Sequence, residues 1–456
     1  TFTTIPSCTF QRCTNLKIVE NIRQVTEIKN DAFNGCVSLI ALDLGSCKIG
    51  WNAFDGCSNL QSIGESAKCT SVGFNAFRGC SSLEKIDLSM CTSVDLNAFS
   101  GCSRLQSIGN PKLTSIPGGA FEGCSSLENI DLSMCTSVGS SAFSGCSSLD
   151  GIDLSLCTSV GYAAFCGCSK LQNVNTSNCT YISDLSFEGC SSLENIDLSL
   201  CTSVGMSAFH GCSKLQNVNT SNCTYIGSSA FSGCTSITEV DLSACKTMND
   251  YAFNGCKKLE NVIGFENFKS IPNCAFGETA LKSVELPACT SIGSSAFEGC
   301  IDLQSADLPK VESLGSHAFW KSGITKISLS GTLKDMGYAC FDKVTEYTFN
   351  GTQPAALSKV SEDPLYAPLY GARFVIRVPE SAIDTYKTAD IWKNYADKIF
   401  SISDQLDYDV TTTAMDSQSG LEQAIGATNM KKVFSLKATG TINGYDIFMI
   451  RTKMTN

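Results

Sequence analysis

GCSSLENIDLSMCTSVGSSAF, residues 123–143, is the stretch from which the whole chain can be read. Versions of it recur from the first residues to about residue 350. Aligned on the last phenylalanine, the copies fall at Phe10, Phe33, Phe54, Phe77, Phe99, Phe121, Phe143, Phe165, Phe187, Phe209, Phe231, Phe253, Phe276, Phe297, Phe319 and Phe341. Neighbours are 21 to 23 residues apart, mostly 22. A fixed period of this length signals a solenoid, in which a single coil cannot bury its apolar face but a stack can.

Within the unit, Leu127, Ile130 and Leu132 give L-x-x-I-x-L, with Cys135 three residues on and Val138 after it. This is the leucine-rich-repeat pattern L-x-x-L-x-L-x-x-N/C, with cysteine in the last place. Around Ile130 and Leu132 the alternation has period two, so Asn129, Asp131 and Ser133 are expected to face out of a short strand. Ala142, Phe143 and Cys146 supply the apolar side of the returning segment, and Gly139, Ser140 and Gly145 let it turn. Adjacent Ser, Thr and Gly, with no 3.6-residue apolar stripe, argue against helical coils. The expected fold is a leucine-rich-repeat solenoid, classed as an α/β repeat, right-handed, with a parallel sheet on its concave wall. About sixteen coils at the strand spacing make an array on the order of 70 Å long.

Composition narrows the function. The net charge is −11, and residues 351–456 hold 11 basic and 12 acidic side chains, so the repeats carry −10. An acidic array without a basic patch is a poor partner for nucleic acid or an anionic membrane. No apolar run reaches the ~18 residues of a membrane span, and no signal peptide is visible. The chain opens inside a repeat, TTIPSCTF at residues 3–10, which reads as a trimmed or processed start.

Of 27 cysteines, thirteen stand three residues after a repeat phenylalanine, as Cys124 and Cys146 do, and ten hold the N/C position, as Cys135 and Cys157 do. Cys8, Cys166, Cys274 and Cys340 lie outside both columns. Such register suits buried thiols acting as small apolar residues with a weak donor. In-register neighbours about 4.8 Å apart are too far for the usual disulfide Cβ spacing, although some pairing stays open.

GCSKLQNVNTSNCTYI occurs unchanged at 167–182 and 211–226, so a two-coil block has been duplicated. The repeats are assigned to residues 1–350. Residues 351–402 read as a small α/β cap on the last coil, with a strand at 374–379, a helix at 380–398 and a further strand at Phe400 and Ile402. Residues 403–456 read as the start of another α/β module, with strands in YDVTTTA and VFSLKATGTI and helices in LEQAIG and NGYDIFMIRTKM.

The columns I-G-x-x-A-F-x-G-C-x-x-L-x-x-I-x-L resemble the bacterial leucine-rich repeats of the BspA-like family, over about three quarters of the chain. VGSSAFSGCSSLDGIDL at 138–154 is a close example. The segment 378–402 is similar to the tail that ends many such arrays in Bacteroidetes surface proteins, and 439–454 to one that leads into another array. The resemblance implies an exported or surface-anchored, non-enzymatic protein of a host-associated bacterium, engaged in adhesion or binding. Its partner would be a protein or glycan of the host or of neighbouring bacteria. Proline often follows the strand leucine in the family, but here only at Pro287 and Pro309.

The candidate binding residues form an acidic column between the two core residues of the strand: Glu20, Asp43, Asp87, Asp131, Asp153, Asp197, Asp241, Glu285 and Asp307. Asn175 and Asn219 take the same place in the duplicated coils. The column suits a cationic or hydroxyl-rich partner. It equally suits a solvated strand face whose carboxylates bond to nearby Ser, Thr and Asn. Aromatic residues, which interfaces favour, are sparse on this wall. No D-x-D-x-D-G loop accompanies the acids, which weakens calcium, and no cofactor motif is present. His210 and His317 lie in different coils, and no serine has a His and carboxylate partner suggested by spacing, so no catalytic residue is expected. A structural spacer that displays another module is the alternative function.

Overall fold

The structure is a computed structural model. It describes residues 2–64, 67–109, 111–357 and 374–404 in full, and 407–412 and 435–440 as backbone. It is a parallel-strand solenoid of about 17 turns. Each coil has three sides.

The first side holds the expected strand. Gly151–Asp153, Asn173–Asn175, Asn195–Ile196 and Asn217–Val218 pair in parallel, one coil to the next. Val174 aligns with Ile152 and Ile196, all buried, while Asn173 and Asn175 face solvent. The ladder is broken into short groups, and the coil of Ile130 has no assigned strand here.

A second ladder, absent from the sequence expectation, runs along the T-S-V-G segment. Seven strands, from Ser115–Ile116 to Thr247–Met248, pair in unbroken parallel order. Another five run from Ser270–Ile271 to Ala356–Leu357. The glycine after the valine lets the coils close up: a Cβ on Gly139 would lie 2.6 Å from the Gly118 nitrogen. On Gly227 it would lie 2.5 Å from the Gly205 carbonyl carbon.

The third side is a run of tight turns, with no helix. Phe121 N–H donates to the Ala142 carbonyl at 2.8 Å and Gly123 N–H to Ser144 at 2.7 Å, both in the next coil. Within the coil, Cys124 N–H donates to Phe121. The turns alternate through left-handed residues, Ser141 at φ 54° and Gly145 at φ 76° in one coil. Glycine holds the second of these places in most coils because it carries no Cβ penalty there.

Inside, the phenylalanines stack from Phe10 to Phe341 with ring centroids 5.0 to 5.8 Å apart and nearly parallel planes. Each fully buried ring contributes roughly 1.5–3 kcal/mol. Between the rings and the first wall run the cysteines: the Cys146 thiol donates to the Phe121 carbonyl at 3.1 Å, and Cys168 to Phe143 at 3.2 Å. The thiols are free and mostly buried, with Cys8 and Cys13 exposed.

The first ladder continues past the repeats through Glu346–Phe349, Val375–Val378 and Ile399–Ser401. The helix expected at 380–398 is broken. A helix at Ile383–Thr388 is flanked by 3₁₀ turns at Glu380–Ala382 and Trp392–Lys398, with Ile391 left-handed at φ 65° between them. The break turns Trp392 inward, where its Nε1 donates to the Ala355 carbonyl at 2.7 Å and its ring meets Phe349 and Tyr386 edge-on. Beyond the cap, Asp407–Thr412 and Ser435–Gly440 form a parallel pair that overlaps the two expected strand segments, the first starting one residue earlier. The helices expected at 421–426 and 443–454 lie outside the described residues.

Candidate functional site

The acidic column stands on the outward face of the first wall. Asp131, Asp153 and Asp197 are exposed, and Asp87 and Asp241 are half-buried. In each of these five, Oδ1 accepts the backbone N–H two residues on: Ser89 from Asp87 at 2.8 Å, Ser133 at 3.0 Å, and Ser155, Ser199 and Ser243 at 2.9 Å. Asn175 and Asn219 hold Ser177 and Ser221 in the same way at 3.2 Å. The column residue therefore closes the corner after the strand, using a side-chain oxygen as a turn acceptor.

The bonds from Ser89, Ser133 and Ser199 hold the carboxyls of Asp87, Asp131 and Asp197 below their ordinary range, because they favour the charged form. In the duplicated coils Asp and Asn alternate, and Asn175 is the direct strand partner of Asp153. The carboxylates at Asp153, Asp197 and Asp241 are thus about two coils apart, roughly 9.6 Å, which weakens their mutual repulsion.

The remaining column members behave differently. Asp43 is paired with Arg23 Nε at 2.8 and 2.9 Å. Glu20 is exposed on an irregular strand at Ile18–Ile22. Glu285 and Asp307 are exposed strand partners. The structure thus gathers Asp131 to Asp241 into one line and leaves Glu20 and Asp43 in a differently built N-terminal part. An open groove of about 600 Å³ crosses this wall, lined by Asn173, Asn175, Asn195, Asp197, Asn217 and Asn219 among others. Asn217 Nδ2 donates to Asn195 Oδ1 at 3.0 Å, so the amides form part of a ladder of their own.

No group of three or more His, Cys, Asp or Glu able to hold a metal occurs among the described residues. His210 is exposed, and His317 packs edge-on against Trp320 and Tyr338. No helix among the described residues is long and apolar enough to cross a membrane.

Sequence reasoning missed the aromatic residues of the second wall. Tyr162, Tyr181, Tyr225 and Tyr251 are all exposed on or beside it. The signal was present in the duplicated block, where TYI replaces TSV. It could not be used until the T-S-V segment was known to be a strand.

Comparison with known proteins decides the family. The model described as "BspA type Leucine rich repeat region (6 copies)" matches residues 1–106, 92–203, 136–260, 181–300 and 269–361. This chain belongs to the BspA-type leucine-rich repeat family. Among solved structures, it is similar to a leucine-rich repeat protein from Bacteroides ovatus. That match has 24% identity, covers 76% of this chain and 93% of the other, and has a TM-score of 0.49. A leucine-rich cell surface protein from Faecalibacterium prausnitzii is 25% identical over 67% of this chain and 82% of its own, with a TM-score of 0.41. The T. pallidum leucine-rich repeat protein is 26% identical over 44% and 78%, with a TM-score of 0.28. No curated protein matches the BspA-type chain described here.

Proposed function

We propose that this BspA-type array is a non-enzymatic recognition surface, exported or held at a cell surface, that binds a protein or glycan of a host or a neighbouring bacterium. The observation that carries the reading is the line from Asp131 to Asp241. Each carboxylate is oriented by its own turn beside an amide-lined groove, and those of Asp131 and Asp197 are held below their ordinary range by the serine bonds. Such a wall suits a cationic segment, because complementary charge speeds encounter and fixes orientation. Nothing about the wall calls for a bound metal or cofactor.

The test uses Asp131→Asn, Asp153→Asn and Asp197→Asn together. The turns at Asn175 and Asn219 show that asparagine supports the same corner, so the fold should hold. Binding to immobilised matrix proteins and to bacterial cells should weaken, most clearly at low salt, where exposed charges are least screened. Binding that survives the triple variant but disappears on deletion of residues 351–456 would move recognition out of the array. That outcome would favour the spacer reading, for which the near-identity of the central coils is the supporting observation.

A further inference from the structure

The second wall differs chemically from the first. In the five coil segments 134–140, 156–162, 178–184, 200–206 and 222–228, Asp184 is the one formally charged residue. Its Oδ1 is already engaged by the Met206 N–H at 2.7 Å. The exposed remainder is Ser, Thr, Gly and Asn, with Met134, Leu156, Leu200 and Met206 at the segment ends, and Tyr181 and Tyr225 stand outward from the ladder.

Position matters more than number here. Tyr181 is the strand partner of Ser203, and Ser203 of Tyr225, so the two rings are two coils apart on one line. Two coils measure about 9.6 Å, close to the disaccharide repeat of an extended β-1,4-linked sugar chain. Both rings are part-exposed, at 42% and 38%, and Asn249 Nδ2 donates to the Tyr225 hydroxyl at 2.9 Å. Tyr162, in the coil before Tyr181, extends the aromatic run at the far edge of the wall.

The hydroxyls between the rings have a fixed polarity. Thr180 Oγ1 donates to the Thr158 carbonyl at 3.3 Å, Thr202 to Thr180 at 3.1 Å, and Thr224 to Thr202 at 3.1 Å. A hydroxyl has one proton, so each of these presents only acceptor lone pairs to solvent. Their partner must donate, and sugar hydroxyls do so at short intervals.

We propose that the second wall between Tyr162 and Tyr225 binds a neutral, extended β-1,4-linked polysaccharide, with sugar rings stacked on Tyr181 and Tyr225 and hydroxyls donated to the threonine column. Charge selects this occupant. An acidic glycan would meet a net-negative chain with no cation on this face, and a cationic partner would be drawn to the carboxylates of the first wall. From Tyr162 to Tyr225 the wall crosses four coils, about 14 Å, room for a trisaccharide. This site is separate from the acidic column and does not depend on it.

The experiment is calorimetric titration of the full chain with cellohexaose, mannohexaose and chitohexaose, with hexameric hyaluronan as the acidic comparator. At least one neutral probe should bind and hyaluronan should not. Tyr181→Ala with Tyr225→Ala should weaken the bound probe at least tenfold, whereas Tyr181→Phe with Tyr225→Phe should keep most of the binding. Ser203→Tyr with Tyr225→Ser retains two rings on neighbouring coils, and it should bind as poorly as the double alanine variant. The first-wall triple asparagine variant should bind the sugar unchanged. Failure of all three neutral probes would overturn the proposal, whatever protein the wall captures instead. So would affinity that survives the double alanine change, or that is indifferent to ring spacing.

Discussion

The phenylalanine side and the first wall come from the same repeat, and they tolerate change very differently. Along the phenylalanine side the stack of rings is unbroken from Phe10 to Phe341. Its turns keep their left-handed geometry even where glycine is replaced, at Glu278 with φ 55° and Lys321 with φ 59°. On the first wall, pairing breaks into short groups, and the outward column runs through Asp, Asn and Glu. The buried side is constrained by packing on both neighbours, while the outward residues need only close a turn. Stability is therefore concentrated on one side of the coil and variation on the other.

The largest effect that would break this contrast is at Phe187, which is fully buried between Phe165 and Phe209. Phe187→Ala should cost about 3–5 kcal/mol by urea denaturation, against less than about 0.5 kcal/mol for the surface change Asp197→Asn in the following wall segment. Equal losses would remove the distinction.

Next comes the close approach of coils. Gly227→Ala places a Cβ 2.5 Å from the Gly205 backbone, and the strain should cost about 1–3 kcal/mol. Hydrogen exchange should show the added openings centred on the coils of Gly205 and Gly227. Exchange that rises evenly along the array would contradict a local clash.

The thiols sharpen the comparison further. Burial pushes Cys57 and Cys256 up to about 12, so neither forms thiolate at neutral pH. Iodoacetamide should label exposed Cys8 and Cys13 first, and the buried column thiols only after denaturation. Rapid labelling of Cys57 in the native chain would refute the buried column.

The smallest effect is acid sensitivity on the outward side. Asp87, Asp131 and Asp197 have folded-state pKa values below their unfolded ones, held there by serine bonds. At Glu346, burial opposes ionisation, but Lys326 and Arg377 outweigh it and the pKa is again lowered. Each of these carboxylates adds stability that is complete above its unfolded pKa near 4 and is lost as pH falls through the lower folded value. The urea midpoint should be flat from about pH 7 to 5 and drop below about pH 4. Neutralising Asp87, Asp131 and Asp197 should flatten that drop and lower the midpoint at pH 7 slightly, because the stability their charge adds is present there.

The sequence by itself determined the period, the core and the orientation of the first strand, because burial on two neighbours imposes the same apolar residue at the same place in every coil. It also showed the acidic column as a line of residues. What that column does at the corner was decided by the fold, since an aspartate that caps a turn and one that awaits a ligand look alike in a sequence. The second ladder was illegible for another reason. Its strands at Ser137–Val138 and Ser159–Val160 are two residues long, too short for alternation to show, and exist only because a neighbouring coil supplies the hydrogen bonds. Ser141, Leu185 and Tyr251 are left-handed for the same reason, against their own preference. In the cap, a continuous helical pattern gave way at Ile391 because Trp392 is better placed against Phe349 and the Ala355 carbonyl. Local preference is worth at most about 1 kcal/mol per residue, and the contacts between coils, or between cap and last coil, outweigh it.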